Sequence, residues 1–402
     1  MIPATQAPLK KKKLKKKKKG RSYFYKVSAW LHLWLGLISG IVVVLVSFTA
    51  AILTFEQEIK LLIEPYQTVE YTEGAEFLPP SILSEKVKEE YGFPSVYAVY
   101  YRGEGRSAMV PYYADSSNYQ EVYVNPYTGE SLHNRRLNSD FWRLMIIGHY
   151  QLWLPRNIGK PIVAYGTLMF VIALLTGLVL WWPKRWNKNT KDASFKIKWT
   201  AKFKRLNYDL HNVLGFYSLL VALILGLTGM VYGMKWFSDA AYYAASGGKE
   251  QNTEITVSDT TAVGSFEMAD EDVLFRQVMN TGIDPSENQI TIQYPRGNEG
   301  TWNVNINPSF QTRWQARSTF YEQKSLKELT KDPSFSEANG GEQLMKLNYD
   351  LHVGAIGGIW TKIIAFLVCI ISASLPITGF IVWWKKNPNK RIEGLKFPNY
   401  KS

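Results

Sequence analysis

A single cysteine, Cys369, stands in 402 residues. That excludes an intramolecular disulfide, a cysteine metal site and a thiol redox pair. Histidine is also scarce, with five in the chain. No glycine-rich nucleotide-binding fingerprint occurs. Charge is missing from four long apolar stretches, Val27–Phe55, Ile162–Trp182, His211–Met234 and Ile359–Trp384, except for Lys362 near one end. Each stretch can cross a hydrocarbon core of roughly 30 Å as a helix, which overrules the two or three soluble domains that length alone would allow. Mean hydropathy is nonetheless slightly negative, so large polar parts lie outside the bilayer.

Positive charge is plentiful, at a formal +13, but uneven. Lys10–Lys19 is a near-continuous basic run, Lys184–Arg205 holds one acid, Asp192, and the tail from Lys385 is basic again. The positive-inside rule then makes both termini and the loop between the second and third spans cytoplasmic. A basic run can signal nucleic acid, but one that abuts a membrane helix reads as a topology determinant touching anionic lipid, so no nucleic-acid partner is expected. The first span has the basic head of a signal peptide, but its apolar part is much longer than about 7–15 residues, and it reads as a retained anchor.

The expected order is a basic cytoplasmic tail (1–26), a span (27–56), an outer domain with an interfacial helix (57–160) and a second span (161–183). A basic loop (184–206), a third span (207–235), a second outer domain (236–345), a fourth span (346–385) and a tail (386–402) follow. Both outer regions read as small α+β domains. Helical patterns at 82–92 and near 270–281 precede runs such as YQEVYVNPYTGESL and ENQITIQYPRG, which alternate as strands. Residues 141–154 read as an interfacial helix ended by Pro155.

The two halves repeat. LNYDLH occurs at 206–211 and again at 347–352. His32 and Gly36 match His211 and Gly215, Pro126 in VNP matches Pro308 in INP, and Thr176-Gly177 before WWPK matches Thr378-Gly379 before WWKK. Both units start on the same side, so the fold class expected is a membrane α-helical protein of four spans, built as two parallel helix–domain–helix repeats related by an axis along the membrane normal.

Four of the five histidines, His32, His149, His211 and His352, mark the starts of the four spans. A costly polar group in a membrane is a functional hypothesis by default, and neutral imidazole is the commonest metal ligand. Topology sorts the four into an inner pair, His32 and His211, and an outer pair, His149 and His352. Each pair would supply the two axial ligands of a b-type haem, two haems in all, packed among apolar helices. Gly36 and Gly215 lie four residues after a histidine, on the same helix face, and would leave room for a flat macrocycle; Gly354, Gly357 and Gly358 could serve likewise. A lone histidine at a helix end is more often an interfacial residue. Four placed symmetrically across a duplication shift the balance towards ligands. His133, beside Asn134 and Arg135, reads as a surface residue. Asp209 and Asp350, two residues before their histidines, read as helix caps or as partners of the imidazoles, capping being favoured.

WLHLWLG with FEQEI, EVYVNPYTGE, GHYQLWL with a later TG and WW, and DLH with a later TG and WW together resemble the PepSY-associated transmembrane proteins, also called iron-regulated membrane proteins, over residues of about 25 to 386. The resemblance implies a bacterial inner-membrane protein with periplasmic PepSY domains, and two b haems held by His32, His149, His211 and His352. Some relatives carry a fused flavin reductase domain; this sequence shows no nucleotide-binding fingerprint for one. The second outer domain matches PepSY only faintly. The resulting expectation is a ferric-siderophore reductase: an unidentified cytoplasmic donor reduces the inner haem, the outer haem receives the electron, and a ferric siderophore or other ferric chelate accepts it. A membrane-anchored PepSY regulatory or partner-binding protein without redox activity is the alternative, and a small transporter is a third reading.

Overall fold

The computed structural model describes residues 21–71, 75–113, 118–262, 264, 266–386 and 388–398. The basic run Lys10–Lys19 lies outside the described residues. In chain order the helices are α1 (Tyr23–Leu53), α2 (Glu56–Ile63), α3 (Pro80–Tyr91), α4 (Phe141–Gln151), α5 (Arg156–Trp181), α6 (Lys188–Phe195), α7 (Phe203–Asp209), α8 (Gly215–Gly233), α9 (Lys235–Ala245), α10 (Asp270–Asn280), α11 (Gly340–His352), α12 (Ile359–Trp384) and α13 (Pro388–Leu395). The strands are β1 (Ala98–Tyr101), β2 (Ala108–Tyr113), β3 (Tyr119–Val124), β4 (Ser131–Arg136), β5 (Gln289–Gln293), β6 (Trp302–Asn307), β7 (Arg317–Tyr321) and β8 (Glu328–Lys331).

Among the described residues, four helical rods are long and apolar enough to span a membrane: α1, α5, the run Phe203–Gly233 and α12. They close a ring, α1 against α5 and α12, and α8 against α5 and α12. Small residues let the rods approach closely, as in membrane bundles generally. A Cβ on Gly166 would stand 2.8 Å from a methyl of Val42, and one on Gly226 2.8 Å from a methyl of Val171. Hydroxyls inside the rods bond back to carbonyls one turn earlier, Ser39 to Leu35 and Thr54 to Ala50, so no polar group is left facing hydrocarbon unpaired at these points.

The fourth span coincides with its apolar run, α12 at Ile359–Trp384, and the earlier part of the 346–385 segment belongs to a separate helix, α11. α11 stops at His352, and a short 3₁₀ turn separates it from α12. Gly354 and Gly358 flank that turn in left-handed conformations, φ 74° and 66°, which explains two of the three glycines there. A Cβ on Gly354 would meet Ala365 at 2.7 Å and one on Gly357 would meet Thr361 at 2.8 Å. Gly354 and Gly357 therefore shape the turn and pack against α12. α4 and α5 are broken in the same way, at Leu152 and Trp153, both at positive φ. α1 likewise ends before α2, with Phe55 between them in a non-helical conformation.

The two outer regions are not separate domains. Their strands form one eight-stranded antiparallel sheet in the order β4-β3-β2-β1-β5-β6-β7-β8. β1 and β5 make the central joint, with Val99 opposite Ile292 and Tyr101 opposite Ile290. One core serves both halves: Leu83, Val99, Tyr101 and Val122 pack with Leu274, Phe275, Ile290 and Ile292. α3 and α10 contact one another over this core, and Asp272 accepts bonds from the Ser81 N–H and hydroxyl at 2.9 and 2.6 Å. Pairing two four-stranded meanders edge to edge removes one of the two edges that each alone would present and leaves β4 and β8 as the edges of the joint sheet.

The sheet also corrects the pairing of VNP with INP. Pro126 follows β3, whereas Pro308 follows β6, the neighbour of β5. The counterpart of the β3–β4 turn is the β7–β8 turn. Asn125 N–H donates to Glu130 O at 2.8 Å and Glu322 N–H to Lys327 O at 2.9 Å, and a register shift precedes each turn at Tyr123/Val124 and Phe320/Tyr321. A shared Asn-Pro dipeptide is a weaker guide to equivalence than hairpin geometry.

Lys362, the exceptional charge in a span, is buried and lies 2.7 Å from Glu58 of α2. Removing Glu58 leaves a buried ammonium uncompensated, whereas removing Lys362 leaves a carboxylate that is 37% exposed and that water can reach. Glu58→Ala is expected to destabilise the detergent-solubilised protein by roughly 2 kcal/mol, a value reduced because the carboxylate is partly exposed, and Lys362→Met by much less. Equal melting temperatures for Glu58→Ala and the unmodified protein would dismiss the pair as a structural tie.

Candidate functional site

The four span-marking histidines come together as two pairs. The imidazole centres of His32 and His211 are 6.1 Å apart, and those of His149 and His352 are 6.0 Å apart. An imidazole nitrogen bonds a first-row metal at about 2 Å and lies about 1 Å from its own ring centre, so two rings ligating one ion stand about 6 Å apart. Both pairs meet that spacing. His32 lies in α1 and His211 in the π-turn Leu210–Leu214 that joins α7 to α8. Such an extra-wide turn is uncommon and recurs at functional sites. His149 and His352 are carried by α4 and α11, the short helices that precede α5 and α12.

Every one of these rings is held by the same device. His32 Nδ1 bonds Ala173 O at 2.8 Å, His149 Nδ1 bonds Val46 O at 3.0 Å, His211 Nδ1 bonds Leu375 O at 3.1 Å and His352 Nδ1 bonds Leu225 O at 3.2 Å. A carbonyl only accepts, so Nδ1 carries the proton in all four. Three residues beyond each carbonyl stands a threonine whose hydroxyl reaches the same nitrogen. Thr378 is 3.0 Å from His211 and Thr228 3.0 Å from His352, while Thr49 is 3.4 Å from His149 and Thr176 3.5 Å from His32. Three of these threonines precede a glycine packed on the ring. A Cβ on Gly177 would come within 3.0 Å of His32, one on Gly379 within 3.0 Å of His211 and one on Gly229 within 3.2 Å of His352.

With Nδ1 protonated, Nε2 of each ring is a bare lone pair, and none has a hydrogen-bond partner among the described residues. A metal-bound imidazole is oriented in this way, through a carbonyl or hydroxyl on its other nitrogen. The residues therefore fit two bis-imidazole centres. Gly36 borders open space, with no atom within 4 Å of a Cβ built there, whereas Gly215 is in ordinary contact with Leu375 at 3.5 Å.

The repeated LNYDLH motif secures this arrangement from outside. Its asparagine clamps the threonine that holds the ring: Asn207 Nδ2 donates to Thr378 O at 3.0 Å, and Asn348 Nδ2 to Thr228 O at 3.3 Å. Its aspartate, fully buried in both copies, neither caps a helix nor touches an imidazole. Asp350 accepts the backbone N–H groups of Arg313 and Trp314 at 2.8 Å each, and Asp209 takes Arg205 at 2.8 Å and the N–H of Lys198 at 3.3 Å. Each carboxylate ties an incoming loop to the helix that carries the histidine. His133 stacks on Tyr66 with ring centres 4.1 Å apart, in the sheet domain.

The four histidines and the two Thr-Gly pairs at 176–177 and 378–379 stand out in the sequence, but nothing there connects the threonines with the imidazoles. Thr228-Gly229 and Thr49-Ala50 escape a sequence reading, although a threonine inside an apolar run is a detectable signal.

Comparison with curated proteins found no match. The family described as PepSY-associated TM region matches residues 29–386, a stretch that contains all four spans and both imidazole pairs apart from the first few residues of α1. The chain belongs to this family of PepSY-associated transmembrane proteins.

Proposed function

We propose that the protein is a dihaem oxidoreductase of a bacterial inner membrane that passes electrons from a cytoplasmic donor to a ferric chelate in the periplasm. The observation that carries this reading is the fourfold anchoring of imidazoles into two facing pairs at metal-ligating spacing. His32 and His211 would hold a b haem towards the basic face, and His149 and His352 one beneath the sheet. Bound there, haem supplies a one-electron carrier in each leaflet, which divides a crossing of roughly 30 Å into shorter steps.

The protein's own part is positional and electrostatic. Carbonyl and threonine partners fix each tautomer, present Nε2 and raise the basicity of the ring. The apolar faces of α1, α5, α8 and α12 keep water from the centres. On the periplasmic side, reduction to ferrous iron weakens a hard-oxygen chelate, because nitrogen and softer ligands suit the reduced ion better. The basic loops support an orientation with the sheet in the periplasm and both termini in the cytoplasm. The two halves then stand as parallel repeats about an axis along the membrane normal.

Pyridine-haemochrome quantitation of detergent-purified protein is expected to give two haems b per chain, with reduced-minus-oxidised bands of low-spin haem. A preparation that folds and carries none would overturn the reading and leave a partner-binding membrane scaffold in its place.

A further inference from the structure

The sheet has two unlike faces. α3 and α10 cover the apolar one. The other looks towards α2 and α4 and is rich in tyrosine, and between them lies a cleft of about 600 Å³. Small-molecule sites commonly fall between about 300 and 1,000 Å³. Its floor includes Ile146 and Tyr150 of α4, the helix that carries His149.

Four cations line the cleft, and two of them are already matched. Lys60 pairs with Glu56, and Arg135 is held by Asp140 at 2.6 Å with Glu121 at 3.9 Å. Arg143 and Arg296 have no carboxylate within ion-pair distance among the described residues. Each instead lies over a tyrosine: Arg143 over Tyr119, 4.6 Å from the ring centre, and Arg296 over Tyr97 at 4.5 Å. A guanidinium stacked in this way keeps its N–H edge for oxygen acceptors and adds a flat face for a further ring. Burial disfavours the charged form of the Glu121 carboxyl and pushes its pKa up. The cleft thus combines unmatched positive charge with aromatic walls, directly against the helix that bears an outer imidazole.

We infer that this cleft binds the ferric chelate, and that the chelate it takes is anionic and bears aromatic donor rings, of the catecholate class. The inference rests on the reductase reading for its purpose, but binding itself needs no electron. Arg143 and Arg296 meet the negative donor oxygens, and Tyr97 and Tyr119 flank the rings.

The test is titration of oxidised, detergent-purified full-length protein, followed by quenching of its intrinsic fluorescence. The probes are ferric tris-catecholate, the neutral ferric tris-acetohydroxamate and inorganic phosphate. Tris-catecholate should bind the unmodified protein at least about tenfold more tightly than either other probe, and Arg143→Gln or Arg296→Gln should each weaken it about tenfold, the usual effect of losing one charge-assisted contact. Arg136→Gln removes an exposed cation from the next position of β4 and should leave the affinity unchanged. Equal binding of the three probes, unaltered affinity in both variants, or an equal loss in Arg136→Gln would overturn the proposal. Haem content measured on the same samples separates the two readings. Two haems without preferential tris-catecholate binding would reject the cleft and spare the reductase. Binding without haem would reject the reductase and keep the cleft as an anionic-ligand site.

Discussion

Replacement of His211 by alanine is expected to halve the haem content of the purified protein and to abolish transmembrane reduction of a ferric chelate in vesicles. His211 faces His32 across 6.1 Å, and no other imidazole shares that contact. The second pair lies at the other end of the bundle, and a run of about 20 helical residues spans about 30 Å, so neither of its rings can replace a missing ligand. Carriers that act in series fail together, and losing one therefore costs all of the transmembrane rate. The pairing has a sharper consequence in double variants. His32→Ala with His211→Ala should lose no more haem than either change alone. His32→Ala with His352→Ala should lose both haems. One full equivalent of haem retained in the latter double variant would mean that the ligands are paired differently.

The spans and their histidines were legible because each breaks a pattern. An uncharged run of membrane length is seldom anything but a span, and an imidazole at its margin is conspicuous. The anchors were hidden for the opposite reason. A backbone carbonyl belongs to every residue, so nothing in a sequence marks Ala173 or Leu225 as an acceptor. Threonine in a membrane helix commonly bonds its own preceding turn, as all four do here, and so reads as ordinary solvation of a hydroxyl. Only the packing of one helix on another shows that the same oxygen also faces an imidazole.

The sheet was legible strand by strand and illegible as a whole. Alternation located the strands of both halves, because period-two burial is local. The β1–β5 joint depends on residues almost two hundred positions apart, and neither strand advertises its partner. Two domains were therefore expected where one core exists. The cleft was hidden by the same long range. Arg296 belongs to the second half, and Arg143, Tyr97 and Tyr119 to the first. The aspartates of LNYDLH misled because an acidic residue near a helix start resembles a cap, whereas these bind loops distant in sequence.

Gly379→Val is expected to remove one haem while leaving both histidines of its pair in the chain. A Cβ at this position would stand 3.0 Å from Cε1 of His211 and 3.5 Å from its Nδ1, and the branches of valine intrude further. The ring has little freedom to retreat, because Leu375 O and Thr378 Oγ1 hold its Nδ1 from the same helix that carries the glycine. Any movement that relieves the clash must break those bonds and turn Nε2 away from His32. Alanine asks the ring to give by only a few tenths of an ångström, so Gly379→Ala should keep most of its haem, and the series Gly, Ala, Val should show a graded loss. The His149–His352 centre lies at the far end of the bundle and should be untouched, so the residual spectrum of Gly379→Val should match that of His211→Ala. A full haem complement in Gly379→Val, in protein that folds normally, would show that the Thr-Gly steps serve only the packing of helices.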